Sequence, residues 1–201
     1  MADFNKSPIP FDYDKGFTQD FNLKTGFSSM QETGKRYLKQ MSNMFYDEAA
    51  YESMCETAGD AVVYEFHSCT VPETAGNLAY GCSIVYPGKV GDEYFMTKGH
   101  FHTILETAEI YYCLSGHGYM LIENPEGDWR ALELTAGKAV YVPRRYAHRS
   151  INVGASEPLV TFFIFPADAG HDYGTIETKG YRKILVERDG APTILDNPKW
   201  K

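Results

Sequence analysis

From residue 61 onward the chain alternates short apolar runs with compact turn signals. The runs are rich in β-branched and aromatic residues, which favour strands, and turns such as Pro87-Gly88 and Ala136-Gly137 separate them. Many short strands at this spacing indicate a mainly β sandwich or closed barrel, not alternating β-α-β units. The predicted strands are 61–66, 78–86, 94–97, 109–114, 118–123, 129–134, 139–142, 149–153, 159–165, 183–187 and 193–195.

The N-terminal part of the chain lacks this strand pattern. Pro and Gly residues interrupt residues 1–28, which are predicted to form an irregular arm. Residues 29–55 are predicted to be helical, with a second short helix over 48–54, because apolar residues recur at helical spacing. These apolar residues are Tyr37, Leu38, Met41, Met44 and Phe45. The 201 residues are therefore predicted to form one domain, with a β-barrel over 60–201.

Composition and charge exclude several classes of protein. The net charge is −8 and the chain has no basic run, so a nucleic-acid partner is not expected. No apolar stretch of 18 residues occurs, and the N-terminus has no apolar signal core, so no membrane association is expected. The four cysteines have no C-x-x-C spacing and are read as reduced thiols of a cytoplasmic protein.

Two of the six histidines form the tripeptide His100-Phe101-His102. In an extended segment, residues i and i+2 point to the same side, so the two imidazoles converge and can share one metal ion. His148, which follows a turn further along the chain, is a third candidate ligand. Three imidazoles and one carboxylate suit a divalent transition metal and leave positions open for water or substrate.

Two carboxylates compete for the fourth place. Glu106 lies at a short distance after His102, whereas Glu109 begins a strand-like run and stands seven residues before Gly116. We prefer Glu109, because Glu106 falls in a loop where a solvated charge is common. Tyr111 lies two residues further along the same strand and therefore shares the face of Glu109.

This layout resembles the two-motif signature of the cupin superfamily, Gly-x5-His-x-His-x(n)-Glu-x6-Gly followed by Gly-x5-Pro-x-Gly-x2-His-x3-Asn. The second motif is matched from Gly137 to Asn152, with Tyr146 in the place of the motif's glycine. The gap between His102 and Glu109 is longer than in the generic first motif. The resemblance implies a cupin fold, which is a jelly-roll barrel also called a double-stranded β-helix.

Longer strings resemble the cupin-type glucose-6-phosphate isomerases of archaea and some bacteria. The most specific is PADAGHDYG at 166–174, and the others are 86–102, 108–112, 142–152 and 196–200. The resemblance implies a homodimeric enzyme that interconverts glucose 6-phosphate and fructose 6-phosphate and carries one divalent metal ion per subunit. Iron(II) is the first expectation for that ion, with zinc, manganese and nickel as alternatives.

The resemblance also implies a role for individual residues. Metal ligands fall on His100, His102, Glu109 and His148. Phosphate-binding positions fall on Ser83, Thr97 and Gly99 with Tyr173 nearby, and active-site positions fall on Tyr111, His171 and Tyr173. The chain departs from its relatives at three places: Ser83 replaces a threonine, Phe165 replaces a tyrosine, and Arg145 replaces an aromatic residue.

An aldose–ketose isomerase needs a base that reaches two carbons and a group that stabilises negative charge on two oxygens. Glu109 is the candidate base for an enediol route, and a hydride shift is the alternative. A phosphate dianion also needs positive charge, for which Lys89, Lys98, Arg144, Arg145 and Arg149 are candidates. Two other functions remain open, a cupin oxygenase with the same ligand set and a non-catalytic sugar-phosphate-binding cupin, as does isomerisation of mannose 6-phosphate.

Overall fold

The computed structural model describes residues 15–28, 32–69 and 71–200, and strands dominate it. The helices are α1 (Glu48–Ala58) and α2 (Gly174–Lys179), and one 3-10 turn spans Leu38–Gln40. The strands are β1 (Glu32–Tyr37), β2 (Val62–Cys69), β3 (Leu78–Val85), β4 (Lys89–Val90), β5 (Glu93–Tyr94), β6 (Glu109–Ser115), β7 (His117–Glu123), β8 (Trp129–Thr135), β9 (Ala139–Val142), β10 (Ala147–Asn152), β11 (Leu159–Pro166), β12 (Lys183–Arg188) and β13 (Ala191–Asp196).

Three antiparallel sheets surround one principal core. The largest has the order β1-β2-β3-β11-β6-β9, a second has the order β10-β7-β8, and a third has the order β13-β12-β5-β4. The core takes side chains from all three, for example Tyr111 of the first, Met120 of the second and Leu185 of the third. The prediction of a mainly β, single-domain barrel of the cupin type is therefore confirmed.

The two-residue period of the strands decides which side chains reach the interior. Along β6, Glu109 and Tyr111 are 2% and 8% exposed, whereas Ile110 and Tyr112 are 44% and 43% exposed. The large sheet therefore has one face on the core and one face that carries exposed apolar groups.

The helix predicted over the first half of 29–55 is wrong. Residues 29–31 lie outside the described residues, and β1 and a 3-10 turn occupy the positions that follow. Leu38, Met41 and Phe45 are nevertheless buried in the core. Their spacing therefore predicted burial correctly but did not predict the backbone conformation. The residues just before them form β1, which gains its backbone hydrogen bonds from β2.

The second predicted helix, over 48–54, is present as α1 and extends to Ala58. Asp47 begins it, since its carboxylate accepts a hydrogen bond from the Ala50 N–H at 2.9 Å. The predicted arm lies outside the described residues over 1–14, and residues 15–28 have no helix or strand. The strand predicted over 94–97 is shorter, because only Glu93–Tyr94 is regular and Met96 forms an isolated bridge with Ile151. Among the described residues, no helix is long and apolar enough to cross a membrane.

Candidate metal centre

The segment that carries His100 and His102 runs antiparallel to β10. The main-chain N–H of His100 donates to the His148 carbonyl at 3.3 Å, and the N–H of His148 donates back to the His100 carbonyl at 3.2 Å. The pairing sets the two imidazole rings 4.5 Å apart between centroids. The alternation expected for His-x-His also holds here, since Phe101 packs into the core.

The structure brings together the four ligands predicted from the sequence. One donor atom from each of His100, His102, Glu109 and His148 lies within 4.8 Å of the other three. Glu109 enters this cluster as the first residue of β6 and is 2% exposed. Glu106 does not enter it, because its carboxylate lies at the surface, 3.0 Å from Arg144.

At the centre of the cluster, acceptor atoms face one another without a hydrogen-bond donor, which favours a bound cation. His102 Nδ1 lies 3.2 Å from the Gly170 carbonyl, which only accepts, so Nδ1 carries the proton and Nε2 does not. Nε2 nevertheless faces Glu109 Oε2 at 3.1 Å, which places two acceptors together. His100 Nε2, His148 Nε2 and Glu109 Oε1 are buried without a hydrogen-bond partner among the described residues. A divalent ion satisfies this donor set, and the Gly170 carbonyl would orient one of its ligands.

Burial and neighbouring groups keep the cluster in the protonation state that metal binding would require. Burial and the neighbouring imidazoles His148, His171 and His102 hold the pKa of His100 well below its usual value. Burial alone would raise the pKa of Glu109, but the imidazoles of His148 and His102 lower it to about 2. At neutral pH, His100 is therefore neutral and Glu109 is charged, as metal ligation requires.

The cluster forms part of the wall of a cavity of about 140 Å³. All six predicted substrate-contact positions line this cavity together with three of the four candidate ligands. The six are Ser83, Thr97, Gly99, Tyr111, His171 and Tyr173. The sequence prediction therefore selected residues that line one cavity, although they come from four separate stretches of the chain.

Three of these positions offer hydrogen-bond donors. Thr97 Oγ1 accepts a hydrogen bond from the Ser150 N–H at 3.1 Å, so its own O–H is free to donate. Ser83 is 8% exposed and lies on the cavity face of β3. Gly99 has a φ of +76°, and a Cβ there would lie 2.7 Å from the His148 carbonyl, so only glycine fits.

His171 and Tyr173 lie at the mouth of the cavity. Their rings stack at 16° with centroids 5.9 Å apart, and the His171 ring is 4.4 Å from the ring of His100. Desolvation lowers the pKa of His171, although the ring still reaches solvent at the mouth, so the imidazole is neutral at pH 7. Burial raises the pKa of the Tyr173 phenol, which is therefore a hydrogen-bond donor at that pH.

The departures from the family pattern have different consequences. Phe165 lies at the centre, with its ring 5.3 Å from His102 and 5.4 Å from His171, and it offers no hydroxyl there. Arg145 has a φ of +70° and turns away from the cavity to Glu126, which accepts from its guanidinium at 2.6 Å.

None of the five cations proposed from the sequence lines the cavity. Four of them pair with carboxylates elsewhere, and the fifth, Arg149, is buried on the other side of β10. The four pairs are Lys89–Glu187, Lys98–Glu177, Arg144–Glu106 and Arg145–Glu126.

A cation that the sequence reading missed lies on the cavity face of β1. Arg36 stands directly opposite Tyr64 of β2, so the two side chains share a face, and Tyr64 lines the cavity. The Arg36 guanidinium lies 5.7 Å from the ring centroid of Phe66, another lining residue. The sequence analysis missed this position because it predicted a helix there, and a helix would not pair Arg36 with a residue of β2.

Five further lining residues were also missed: Tyr64, Phe66, Ser68, Ser150 and Phe163. Strand alternation could have found most of them. Ser150 follows His148 by two residues, and Tyr64, Phe66 and Ser68 alternate along β2.

Comparison with known proteins shows the family of this chain. A family model described as Glucose-6-phosphate isomerase (GPI) matches residues 35–199. The glucose-6-phosphate isomerase of Thermococcus litoralis is 44% identical over 189 residues, covering 94% of this chain and 98% of the relative. That of Pyrococcus furiosus is 43% identical over 189 residues, covering 94% and 99%. The putative glucose-6-phosphate isomerase 1 of Rhizobium meliloti is 40% identical over 184 residues, covering 90% and 85%.

Among solved structures, an oxalate oxidase in complex with the substrate analogue glycolate aligns with 49% of this chain and 47% of that chain, at 16% identity and a TM-score of 0.41. This overlap is too small to establish a relationship between the two proteins. The full-length relatives are decisive: the chain is an enzyme that belongs to the cupin-type glucose-6-phosphate isomerase family.

Proposed function

We propose that the protein is a metal-dependent isomerase that interconverts glucose 6-phosphate and fructose 6-phosphate, a step of glycolysis and gluconeogenesis. The observation that carries the proposal is a charged, buried carboxylate, Glu109, held among three imidazoles in the wall of a cavity whose other side offers hydroxyl and backbone donors. The substrate is inferred from the relatives, which are named glucose-6-phosphate isomerase and match this chain over nearly their whole length.

His100, His102, Glu109 and His148 are the residues that would hold the metal ion. When bound, the ion would act as a Lewis acid that stabilises negative charge on the sugar oxygens nearest to it. Iron(II) is our first expectation, and zinc, manganese or nickel would also suit imidazole and carboxylate donors.

Glu109 is the proposed base. Its carboxylate would take the proton from C2 of the open-chain aldose, so that the C–H electron pair forms the C1–C2 double bond of an enediol while the C1=O pair moves to O1, which takes up a proton. Return of the carboxylate's proton to C1, with loss of the O2 proton as the C2=O bond forms, completes the ketose. Tyr111 stands two residues along β6 on the same face, and its phenol stays protonated because burial raises its pKa, so it can donate to a sugar oxygen.

The phosphate is proposed to bind at the Ser83, Thr97 and Gly99 side of the cavity, with Tyr173 at the mouth. Hydroxyl and backbone donors suit its oxygens, and Arg36 provides positive charge on the same face of the sheet. Binding the phosphate away from the reacting carbons would position them against Glu109.

A coupled assay tests the proposed function. Fructose 6-phosphate is supplied, and glucose 6-phosphate is measured after treatment with a chelator and after iron, manganese, nickel or zinc is restored one at a time. We expect turnover that the chelator abolishes and at least one metal restores. Absence of turnover with every metal would refute the assignment, and mannose 6-phosphate in a parallel assay defines the substrate range.

We also propose that the enzyme works as a homodimer in the cytoplasm. The outer face of the large sheet supports pairing, because Ile110, Tyr112 and Tyr141 lie there at 44%, 43% and 62% exposure. None of the four cysteines forms a disulfide among the described residues, as expected of a reducing compartment. Light scattering coupled to size exclusion tests the dimer, and a single species of monomer mass at micromolar concentration would contradict it.

A further inference from the structure

Arg149 lies between the catalytic cavity and a second cavity. Along β10, His148 and Ser150 line the catalytic cavity. Arg149 alternates to the opposite side and lines a cavity of about 470 Å³ together with Tyr181. Only 3% of Arg149 is exposed, which is rare for an arginine.

Among the described residues no carboxylate is hydrogen-bonded to Arg149, although the buried carboxyl groups of Glu93 and Glu123 interact with its charge from further away. One terminal nitrogen donates to the Lys98 carbonyl at 2.6 Å, the other lies 3.0 Å from Met96 Sδ, and Cζ lies 4.1 Å from the Tyr181 ring centroid. Nε has no partner in the described part of the chain. Because apolar residues of similar size often stabilise a core as well as buried charged groups do, a role for this arginine beyond stability is worth testing.

The bond to Lys98 fixes the direction of the next N–H. In a trans peptide the C=O and N–H point to opposite sides of the chain, and the described residues contain no cis peptide. Arg149 holds the Lys98 carbonyl on its own side, so the Gly99 N–H points the other way. Gly99 lines the catalytic cavity, and its N–H takes part in none of the backbone hydrogen bonds between the described residues.

We propose that Arg149 is a positioning residue for phosphate binding: by holding the Lys98 carbonyl from behind, it directs the free N–H of Gly99 at a phosphate oxygen of the substrate. The inference rests on the proposed function. Arg149 is not proposed to touch the substrate, and it acts through the Lys98–Gly99 peptide. Its charge also lies directly behind that peptide and adds to the attraction for a dianion.

The test compares Arg149→Ala and Arg149→Lys with the wild type. We expect the KM for fructose 6-phosphate to rise about tenfold or more, as for the loss of a hydrogen bond to a charged group, while kcat changes less than about threefold. Bound metal should be unchanged. Millimolar guanidinium should lower the KM of Arg149→Ala, because the adjacent second cavity gives the ion access to the vacated site.

Arg130→Ala is the matched control, since Arg130 is exposed and pairs with Asp128 at 2.6 Å; its KM should match the wild type. An unchanged KM in a folded Arg149→Ala protein overturns the proposal, as does a fall in kcat and metal content that accompanies the rise in KM. If Arg149→Ala does not fold, Arg149→Lys decides, because lysine keeps the charge but cannot hold the carbonyl and the thioether together.

Calorimetry with inorganic phosphate separates this proposal from the proposed function. Weaker phosphate binding by the Arg149 variants supports the positioning role, whether or not the wild type isomerises sugars. Equal phosphate affinity in the wild type and the variants overturns it. A wild type that binds phosphate but has no isomerase activity refutes the function alone.

Discussion

The chemistry of single residues centres on the contact between His102 Nε2 and Glu109 Oε2, 3.1 Å apart. Because the other nitrogen of His102 donates to a carbonyl, these two atoms both accept, and only a cation between or beside them removes their repulsion. This contact supports our proposal that the same carboxylate is a metal ligand and, once substrate approaches, the base.

Glu109→Gln tests this double role. The amide keeps one oxygen for a metal but cannot take a proton, so we expect kcat to fall by about 10² to 10⁴ while part of the metal remains. Metal analysis and the coupled assay measure the two effects on one sample. Turnover equal to that of the wild type would rule out Glu109 as the base.

Glu93 gives a second residue-scale prediction, away from the metal centre. Burial raises its pKa to about 7, although the Tyr46 N–H, Arg149 and Lys199 oppose this effect and Asp92 adds to it. The unfolded state releases this proton near pH 4.5 and the folded state near pH 7, so stability falls as the pH rises through that window.

We expect Glu93→Gln to remove this penalty, because the amide does not ionise. The difference in free energy of unfolding between Glu93→Gln and the wild type should be about 3 kcal/mol larger at pH 8 than at pH 4.5, since one pKa unit corresponds to about 1.36 kcal/mol. Urea unfolding at the two pH values measures the difference. The exposed Glu52→Gln is the control, and equal pH dependence in the wild type and Glu93→Gln would contradict the prediction.

At the scale of elements, β1 shows where sequence reasoning fails. Leu38, Met41 and Phe45 repeat at helical spacing, but a 3-10 turn and irregular backbone can bury the same spacing of side chains. The sequence of 32–37 does not by itself identify β1 as a strand, because β1 depends on pairing with β2, which begins 25 residues after β1 ends. Strands bounded by Gly and Pro turns, such as Ala139–Val142, were predictable because local signals define both ends.

Arg36 connects β1 to function. Replacing it with glutamine should raise the KM for fructose 6-phosphate about tenfold with little change in kcat, because Arg36 shares the sheet face of Tyr64, which lines the cavity, and would compensate the phosphate charge. Steady-state kinetics measures this. Lys35→Gln is the matched control, since Lys35 points to the other face and pairs with Glu65 at 3.3 Å. Equal effects of the two substitutions would show that only net charge matters.

At the scale of the whole molecule, the candidate metal ligands come from three segments, 100–102, 109 and 148, which meet only when the barrel is complete. The donor types and their candidates were readable from the sequence, because ligand chemistry restricts residue identity. The cavity wall from β2 and the second cavity behind β10 were not, because they depend on pairings between distant strands.

Metal binding should therefore stabilise the folded barrel. A free metal concentration of about 100 times Kd adds about 2.7 kcal/mol, which raises Tm by about 5–10 °C for a domain of this size. Calorimetric scans with and without chelator measure the shift. His117→Ala, at a surface histidine, should keep the shift, and His148→Ala should lose it; an unchanged shift in His148→Ala would remove this residue from the ligand set.

The alternation along β10 restricts how this family can change during evolution. Inserting or deleting one residue in that strand would exchange the two faces, so that a guanidinium entered the metal centre and an imidazole entered the second cavity. Substitution is therefore the only change that β10 can tolerate. Length variation among descendants of this chain is expected instead in turns that line neither cavity, such as 125–127 between β7 and β8 and 154–157 after β10.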